Sequence, residues 1–495
     1  MILICYRKEI YSLKKSSTKV NIIYQVIYDI LLMILPFLTS PYVARVLGAN
    51  GLGIYSYYYS IATYFVLFSQ LGIKNYGNRI IAKHRDNQEE VNELFSNLTT
   101  IHIIISLICV IVYISYIFTV NSNEKIYAII MLAQVLSGLF DISWFYFGIE
   151  HFKLTVLRST VIKILNVICV FTLVRSKSDL WIYCLIMALG MLLSQLTLWV
   201  PLKKYVKFVK PSWSKMTIHI KPMLVLFVPT IAVSLYKYMD KIMIGSISSK
   251  TQLGFYENAE KVINIPTTVI TSFGTVMLPK MSNMMARKDK SEALKYTGVS
   301  MLYVMWLAYA LTFGLAGVAS IFAPVFWGDE FQLSGSLIMG LAATIPFMSF
   351  ANVIRTQYLI PAEKDKEFMV SVVSGSVVNL IINALLIPKY GSVGATVGTI
   401  VAEVTVCFIQ CYAVRKELRL WQYFSQTLFF LGAGAVMFFV IFKVGKVLGE
   451  GVVTLFIQIC LGGILYCMTS FIYLYAKREV TFMSMLQSIK GKINK

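Results

Sequence analysis

Three charged residues fall within five positions of an apolar stretch, YKYMDKIMIG at 236–245: Lys237, Asp240 and Lys241. A charged side chain at the centre of a membrane helix costs roughly 2.5–3.5 kcal/mol on an insertion scale. Eight more ionisable residues lie within other apolar stretches: Asp29, Asp141, Lys163, Glu257, Glu260, Lys261, Arg355 and Glu403. Left unpaired, all of them together would cost on the order of 30 kcal/mol, which exceeds the usual net stability of a fold. They must therefore face water, one another or a charged ligand.

Some of these charges have candidate partners on the same helix. Glu257 and Lys261 are spaced i, i+4 with Glu first, which is the favourable order, and Lys237 and Asp240 are spaced i, i+3. For Glu257, Lys261 and Glu403 we favour ion pairing or a position at a helix end over a binding role.

Other polar residues form stripes along apolar segments. A polar stripe on such a helix indicates a bundle interior or an aqueous cavity. The stripes are Asn21, Gln25 and Asp29; Gln134, Ser137 and Asp141; Lys237 and Lys241; and Asn352, Arg355 and Tyr358. They predict a polar cavity within a helical bundle.

The composition is that of a protein embedded in a membrane. The chain is 57% hydrophobic and 14% charged, with a mean hydropathy of +0.71, whereas soluble domains carry about 25% charged residues. A helix that crosses the hydrocarbon needs about 20 mostly apolar residues. The sequence predicts fourteen such spans, near 20–44, 51–73, 95–119, 126–148, 155–174, 180–200, 221–246, 253–279, 296–323, 333–359, 368–388, 392–413, 424–447 and 451–475. We therefore expect an all-α, polytopic membrane protein.

The net charge of +21 is distributed unevenly between the two sides of the predicted membrane. Most Lys and Arg residues fall at the two ends of the chain and in every second loop. The positive-inside rule then places both termini in the cytoplasm. Because this excess follows the topology and attracts anionic lipids, we do not expect the protein to bind nucleic acid.

Residue types common in enzyme and metal sites are scattered along the chain. The eight Cys form no CxxC pair and the four His offer no ligand pair, so we expect no metal site. The longest loop, 201–220, is basic and contains no acidic residue. A membrane enzyme usually carries clustered carboxylates or His in such a loop, so we expect a protein that is not an enzyme.

The two halves of the chain are similar in sequence. GLGIYSYYYSIATYF at 51–65 resembles QLGFYENAEKVINIP at 252–266, and RIIAKHRDNQEE at 79–90 resembles NMMARKDKSEA at 283–293. WFYFGIEHFK at 144–153 matches QYLIPAEKDKEF at 357–368, with Glu150 aligned to Glu363. Three matches in the same order indicate a duplication.

Each repeat holds six spans, an even number, so both enter the membrane in the same orientation. We therefore expect two six-helix lobes related by a pseudo-two-fold axis along the membrane normal, with a site between them near the midplane. The predicted divisions are a cytoplasmic tail (1–19), an N-lobe (20–200), a basic cytoplasmic linker (201–220), a C-lobe (221–413), two further helices (424–475) and a second cytoplasmic tail (476–495).

Five stretches resemble motifs of one transporter family: ARVLGANGLGIYS (44–56), DISWFYFGIEHF (141–152), FAPVFWGDEF (322–331), YLIPAEKDKEF (358–368) and NLIINALLIPKYGSVGATVGTIVAE (379–403). They are similar to the polysaccharide and oligosaccharide flippases of the Wzx type, in the multidrug/oligosaccharidyl-lipid/polysaccharide exporter superfamily. The resemblance covers roughly residues 20–480. It implies fourteen helices in two lobes, and an undecaprenyl-pyrophosphate-linked oligosaccharide that is flipped to the outer leaflet of a bacterial inner membrane.

A pyrophosphate cargo gives the cations in the spans a candidate role. Arg offers a bidentate fork to phosphate oxygens and Lys a point charge. We therefore expect headgroup contacts from Lys237, Lys241, Arg355 and Lys163, and further cavity contacts from Asn352, Tyr358 and Gln25. Arg45, beyond the end of the first span, is a candidate gate or binding residue.

The sequence contains no Walker A motif, so ATP is not expected to drive transport directly. We expect no cofactor and coupling to a proton or Na⁺ gradient, with Asp240, Asp29, Asp141 or Glu260 as the coupling carboxylate. Expected partners are the lipid-linked oligosaccharide, membrane lipids, and a polymerase and glycosyltransferases of the same pathway. A multidrug or metabolite antiporter of the same superfamily, or a membrane glycan polymerase, are the alternatives.

Overall fold

The structure is a computed structural model that describes residues 18–287, 290–479, 481–484 and 487. The side chains of residues 18–34, 36, 152, 153, 236 and 290 fall outside that description. The predicted N-terminal tail and most of the predicted C-terminal tail therefore lie outside the described residues.

The described part of the chain is helical, without strands. The helices are α1 (Thr18–Gln70), α2 (Ile73–His84), α3 (Gln88–Thr119), α4 (Lys125–Leu139), α5 (Ser143–Gly148), α6 (Phe152–Leu173), α7 (Leu180–Leu196), α8 (Trp213–Met243), α9 (Lys250–Ala286), α10 (Lys290–Trp327), α11 (Gln332–Ala342), α12 (Thr344–Ile354), α13 (Asp365–Val414), α14 (Leu420–Leu448) and α15 (Val452–Ala476). Two π-helical segments, Ile244–Ser248 and Arg355–Leu359, follow α8 and α12. Short 3₁₀ turns lie at Lys177–Asp179, Leu202–Lys204 and Asp329–Phe331.

Two long helices are divided by a glycine. In α1, Gly48 has φ 70° and ψ 176°, and in α13, Gly391 has φ 54° and ψ −129°. These positive φ angles suit glycine, which lacks the Cβ that would clash. Eleven helical segments of the described chain, with α13 counted once, α4 joined to α5 and α11 joined to α12, are long and apolar enough to cross a membrane. These eleven do not include α1. Two crossings each by α1 and α13, divided at their glycines, would give the predicted count of fourteen. The predicted all-α membrane fold is confirmed.

The backbone repeats one unusual turn at the aligned positions of the two halves. Glu150 and Glu363 both have a positive φ, 60° and 56°. In each turn the next residue's amide donates to the carbonyl five positions earlier, at 2.8 Å from His151 to Tyr146 and at 2.9 Å from Lys364 to Leu359. A matching pair of left-handed residues outside glycine is uncommon. The coincidence supports the duplication read from the sequence.

The chain divides into two compact units, one of residues up to 46 with 58–231, the other of 47–57 with residues from 232 onward. The lobe boundaries read from the sequence stay a prediction. The first unit has an aromatic core in which Phe95 stacks on Trp144 with ring centroids 5.6 Å apart. A Cβ at Gly77 would lie 2.5 Å from the Trp144 indole, so α2 packs directly on that ring.

In the second unit, segment 47–57 crosses the start of α9 at very close range. A Cβ on Gly53 would lie 1.6 Å from the Lys250 carbonyl oxygen, and one on Gly254 would lie 1.9 Å from the Ala49 carbonyl oxygen. Lys250 and Gly254 are the repeat equivalents of Ala49 and Gly53, so the contact is reciprocal. Small residues allow such backbone approach between membrane helices.

Candidate functional site

The charges of YKYMDKIMIG lie at the end of α8, just before a π-helical segment. Asp240 and Lys241 are buried, with 2% and 7% of their surface exposed, whereas Lys237 is exposed. The Nζ of Lys237 lies 5.8 Å from the ring centroid of Tyr238. Lys237 and Lys241 therefore lie in different environments, although their spacing predicted a shared face.

Lys241 is buried at the centre of an ion cluster whose other members are half-buried. Its Nζ lies 2.7 Å from a carboxylate oxygen of Glu257 and 2.7 Å from one of Glu260, both on α9. The predicted pair of Glu257 and Lys261 is confirmed at 3.6 Å, and the Ser56 hydroxyl donates to Glu257 at 2.7 Å. The two Lys and two Glu side chains balance in charge. Lys241 is thus held by carboxylates of the chain itself.

Asp240, although next to Lys241, is surrounded by neutral hydrogen-bond donors. Its Oδ1 accepts from Asn383 Nδ2 at 2.6 Å. Its Oδ2 accepts from the hydroxyls of Thr399 at 2.9 Å and Tyr256 at 3.1 Å. These donors, from α9 and α13, satisfy the buried carboxylate in place of a cation.

The predicted i, i+3 pair of Lys237 and Asp240 is wrong. Among the residues that the structure describes, no basic side chain lies within ion-pair distance of Asp240, whose carboxylate is held by α9 and α13. Sequence reasoning missed Asn383 and Thr399 as its partners. The signal was present, because Asn379 and Asn383 are spaced i, i+4 in an otherwise apolar helix, and Asn383 donates to Asn379 at 3.2 Å.

A small cavity of about 100 Å³, with several polar side chains in a mostly apolar lining, lies beside Arg355 at the end of α12. Asn352, Arg355, Glu403 and Gln410 line it. Asn352 and Glu403 are buried, and the Nδ2 of Asn352 has no hydrogen-bond partner in the described structure. A guanidinium, a carboxylate and two amides thus line one small cavity within the second unit.

Tyr358 does not line that cavity. Its hydroxyl donates to Glu417 at 2.6 Å, and Glu417 also pairs with Lys364 at 2.5 Å. Tyr358 lies away from the face of Asn352 and Arg355 because it belongs to the π-helical segment Arg355–Leu359. The wider turn of that segment breaks the i+3 spacing that keeps residues on one face. The predicted stripe of Asn352, Arg355 and Tyr358 is therefore wrong at its last member.

In the first unit, the predicted stripe of α4 faces the interior. Gln134 donates to the Thr63 hydroxyl at 2.9 Å. The carboxylate of Asp141 accepts from Gln70 Nε2 and from the backbone amide of Ser143, each at 2.9 Å. Ser143 begins α5, so Asp141 holds the start of that short helix. Its predicted coupling role stays a prediction.

Two further predicted residues, Lys163 and Arg45, belong to the first unit. Lys163 is half-buried on α6 and Arg45 is exposed on α1. The side chains of Gln25 and Asp29 fall outside the described residues, so their roles stay predictions. Sequence reasoning also missed His102, which is fully buried in α3. Its two ring nitrogens have no hydrogen-bond partner in the part of the chain that is described.

The chain is similar to known proteins in both sequence and fold. A family model described as "Polysaccharide biosynthesis protein" matches residues 19–285. Two relatives named "Putative O-antigen transporter" match nearly their whole length. The one from Escherichia coli K12 is 24% identical over 81% of this chain and 98% of its own. The one from Shigella dysenteriae is 22% identical over 77% and 96%.

A solved structure titled "Lipid II flippase MurJ, inward closed conformation" has the same fold. It superposes with a TM-score of 0.75 at 17% sequence identity, covering 93% of this chain and 100% of that one.

Proposed function

The chain belongs to the polysaccharide biosynthesis protein family, and we propose that it flips a lipid-linked oligosaccharide from the cytoplasmic to the outer leaflet of a bacterial inner membrane. The lipid is undecaprenyl pyrophosphate, as the sequence resemblance implies. The product would serve assembly of a capsule, exopolysaccharide or related surface polysaccharide. The observation that carries the proposal is the match to two O-antigen transporters over 96% and 98% of their length.

Arg355 is the first choice among the predicted headgroup contacts. It lines the small cavity with Asn352, whose Nδ2 is a buried donor without a partner among the described residues, and a guanidinium can bind phosphate oxygens bidentately. Lys237 is exposed and offers a point charge without an ion-pair partner among the described residues. Lys241 is different, because its ammonium group already contacts Glu257 and Glu260, with which an incoming anion would compete.

The same competition gives Lys241 a place in a transport cycle. A pyrophosphate that enters near α9 would compete with two carboxylates for one ammonium group. Exchange of partners between cargo and carboxylate is a way to couple binding to movement of α8 against α9, because a ligand shifts a conformational equilibrium only by differential interaction. Glu260 is then a partner exchanged during the cycle.

Asp240 is the best-supported coupling carboxylate. It is buried, it carries no ion-pair partner in the described chain, and its surroundings offer Thr399, Asn383 and Tyr256 oxygens. A proton can neutralise such a carboxylate. A Na⁺ ion, a hard cation, would prefer the same carboxylate, hydroxyl and amide oxygens. An intramembrane ionisable group of this kind is a functional candidate.

Location and partners complete the proposal. The charge bias of the loops supports cytoplasmic termini. The protein would receive its lipid-linked substrate from glycosyltransferases and deliver it to a polymerase on the outer face. We propose transport without covalent chemistry, so its direct partners are the cargo and membrane lipids.

The test uses the full chain reconstituted in proteoliposomes with a fluorescent undecaprenyl-pyrophosphate oligosaccharide. We expect time-dependent transfer between leaflets, measured by a membrane-impermeant quencher. Arg355→Gln should lower the rate at least tenfold, because the loss of a charge-assisted bidentate contact costs roughly 1.5–3 kcal/mol. The matched control is Arg415→Gln, an exposed guanidinium 3.5 Å from the Tyr412 ring centroid, which should leave the rate unchanged.

One result would contradict the proposed function. Absence of lipid transfer by a folded, monodisperse protein, together with efflux of cationic drugs in the same vesicles, would replace the flippase with a multidrug antiporter.

A further inference from the structure

A second cavity, of about 680 Å³, lies at one end of the second unit. Its walls come from the start of α10, the junction of α13 and α14, and the last turn of α15. The volume is within the range of pockets that hold small ligands, roughly 300–1,000 Å³. It is separate from the Arg355 cavity, with which it shares no lining residue.

Three cations line this cavity: Lys295, Arg419 and Lys477. All three are exposed. None of them forms an ion pair with any residue in the described part of the chain, and Lys477 lies 5.4 Å from the ring centroid of Tyr473. Three helix ends thus bring an excess of positive charge to one concave surface.

The two carboxylates of the lining are already engaged. Glu417 accepts from the Tyr358 hydroxyl at 2.6 Å and pairs with Lys364 at 2.5 Å. Glu479 accepts from the Tyr303 hydroxyl at 2.8 Å and from the backbone amide of Phe482 at 2.6 Å. Lys364 neutralises Glu417, whereas Glu479 accepts only from neutral donors and keeps its negative charge. The three cations of the lining therefore exceed its one carboxylate without an ion-pair partner among the described residues, and the cavity stays net positive.

Beside the cations, the cavity has apolar walls from Leu294, Val299, Leu302 and Leu474. The outer faces of α14 and α15 next to it are exposed and apolar over Trp421, Phe424, Phe471 and Ile472. On membrane-spanning helices such surfaces face acyl chains. A ligand here therefore has an anionic head and an apolar tail that extends along the protein surface.

We infer that this cavity holds the phosphate headgroup of an anionic glycerophospholipid from the surrounding bilayer. Lys295, Arg419 and Lys477 bind the phosphate oxygens, and the acyl chains lie along α14 and α15. Basic pockets between membrane helices on the cytoplasmic side recognise anionic headgroups in this way. The ligand would join the ends of α10, α14 and α15. The inference does not depend on the proposed transport of an oligosaccharide.

The experiment measures lipid binding to the purified full chain in detergent, by native mass spectrometry and by thermal unfolding with added lipid. Phosphatidylglycerol is the probe and phosphatidylcholine the zwitterionic reference. The variant Lys295→Gln/Arg419→Gln/Lys477→Gln should bind phosphatidylglycerol on the order of a hundredfold more weakly, because each Lys or Arg contributes about a factor of five at an anionic surface. It should also lose the lipid-dependent rise in unfolding temperature.

Two controls separate a site from general surface charge. Lys203→Gln/Lys204→Gln/Lys210→Gln removes the same charge from exposed positions of the first unit and should bind as the unmodified protein does. Lys295→Arg/Arg419→Lys/Lys477→Arg keeps the charge and should retain binding.

Several outcomes would overturn the inference. Equal loss in both Gln variants would mean a diffuse electrostatic attraction. Equal stabilisation by phosphatidylcholine would exclude recognition of charge. Equal stabilisation by glycerol 3-phosphate would mean a soluble anion, and displacement of phosphatidylglycerol by equimolar undecaprenyl phosphate would assign the cavity to the cargo.

Discussion

Asp240 and Lys241 are adjacent in the sequence and both are buried, yet their side chains are stabilised by different kinds of partner. Lys241 is neutralised by two carboxylates of α9, whereas Asp240 is held by an amide and two hydroxyl groups. The first arrangement has zero net charge once Lys261 is included. The second retains one uncompensated charge and is therefore the one that a proton or cation can alter.

The Lys241 cluster makes a prediction about stability. Lys241→Met should lower the apparent unfolding temperature strongly, because removing one partner of a buried ion pair typically costs about 3–5 kcal/mol. Adding Glu260→Gln should recover most of that loss, since Glu257 keeps its contacts with Lys261 and Ser56. Thermal unfolding of the purified protein in detergent measures both effects.

The control for this double variant changes Glu257 in place of Glu260. Lys241→Met/Glu257→Gln has the same formal charge but leaves Glu260 without the contact that Lys261 makes to Glu257 at 3.6 Å, so it should recover less. Equal recovery by the two double variants would contradict the cluster geometry.

Asp240 makes a prediction about coupling. In proteoliposomes that flip the lipid-linked oligosaccharide, an imposed Na⁺ or pH gradient should accelerate transfer by the unmodified protein. Asp240→Asn should abolish this acceleration and leave slow transfer without a gradient, because the amide cannot be protonated or attract a cation. Asp141→Asn, the same change at a carboxylate that holds the start of α5, should keep the gradient response. A full response in Asp240→Asn would place coupling elsewhere.

At the scale of helices, long apolar runs were enough to predict the spans. The division of α13 near Gly391 was also predictable, because Pro388 and Gly391 interrupt one apolar run. The two π-helical segments were not predictable, since they depend on tertiary packing rather than on local composition. For this reason the Glu257–Lys261 pair within α9 was predicted correctly, whereas the position of Tyr358 after a π turn was not.

The sequence also did not predict which side chains of distant helices contact each other. Spacing shows which residues of one helix share a face, but not which helix that face meets. Asp240 was therefore recognised as a buried charge, while its donors on α9 and α13 were found only in the structure. The repeat was the exception, because it related Gly53 to Gly254 before any contact between them was known.

The close crossing of segment 47–57 with α9 gives a prediction about these elements. Gly53→Ala and Gly254→Ala should each lower the unfolding temperature and the flipping rate, because the new Cβ would lie 1.6 Å or 1.9 Å from a carbonyl oxygen. Overpacking of this kind typically costs about 1–3 kcal/mol. Gly432→Ala and Gly463→Ala are matched controls, since a Cβ at either has no atom within 4 Å. Wild-type behaviour of both Gly53→Ala and Gly254→Ala would contradict the crossing.

For the whole molecule, the number of crossings fixes which loops share a side of the membrane. Three spanning helices, Lys125–Gly148, Leu154–Leu173 and Lys177–Leu196, separate Asn123 from Lys210. An odd number places these two residues on opposite sides. The basic bias of the loops predicts that Lys210 lies in the cytoplasm.

The side on which Lys416 lies depends on whether α13 crosses the membrane once or twice. Between Lys210 and Lys416 lie four spanning helices and α13. If α13 is divided at Gly391 and crosses twice, Lys416 shares the side of Lys210; if it crosses once, the two lie on opposite sides.

Single cysteines at exposed Asn123, Lys210 and Lys416, in a background without native Cys, can be labelled with an impermeant maleimide. In intact cells we expect Asn123→Cys to react and the other two to be protected, with the reverse in inverted vesicles. Reaction of Lys416→Cys in intact cells would mean an odd number of crossings, and the two-fold relation between lobes of six spans would fail with it.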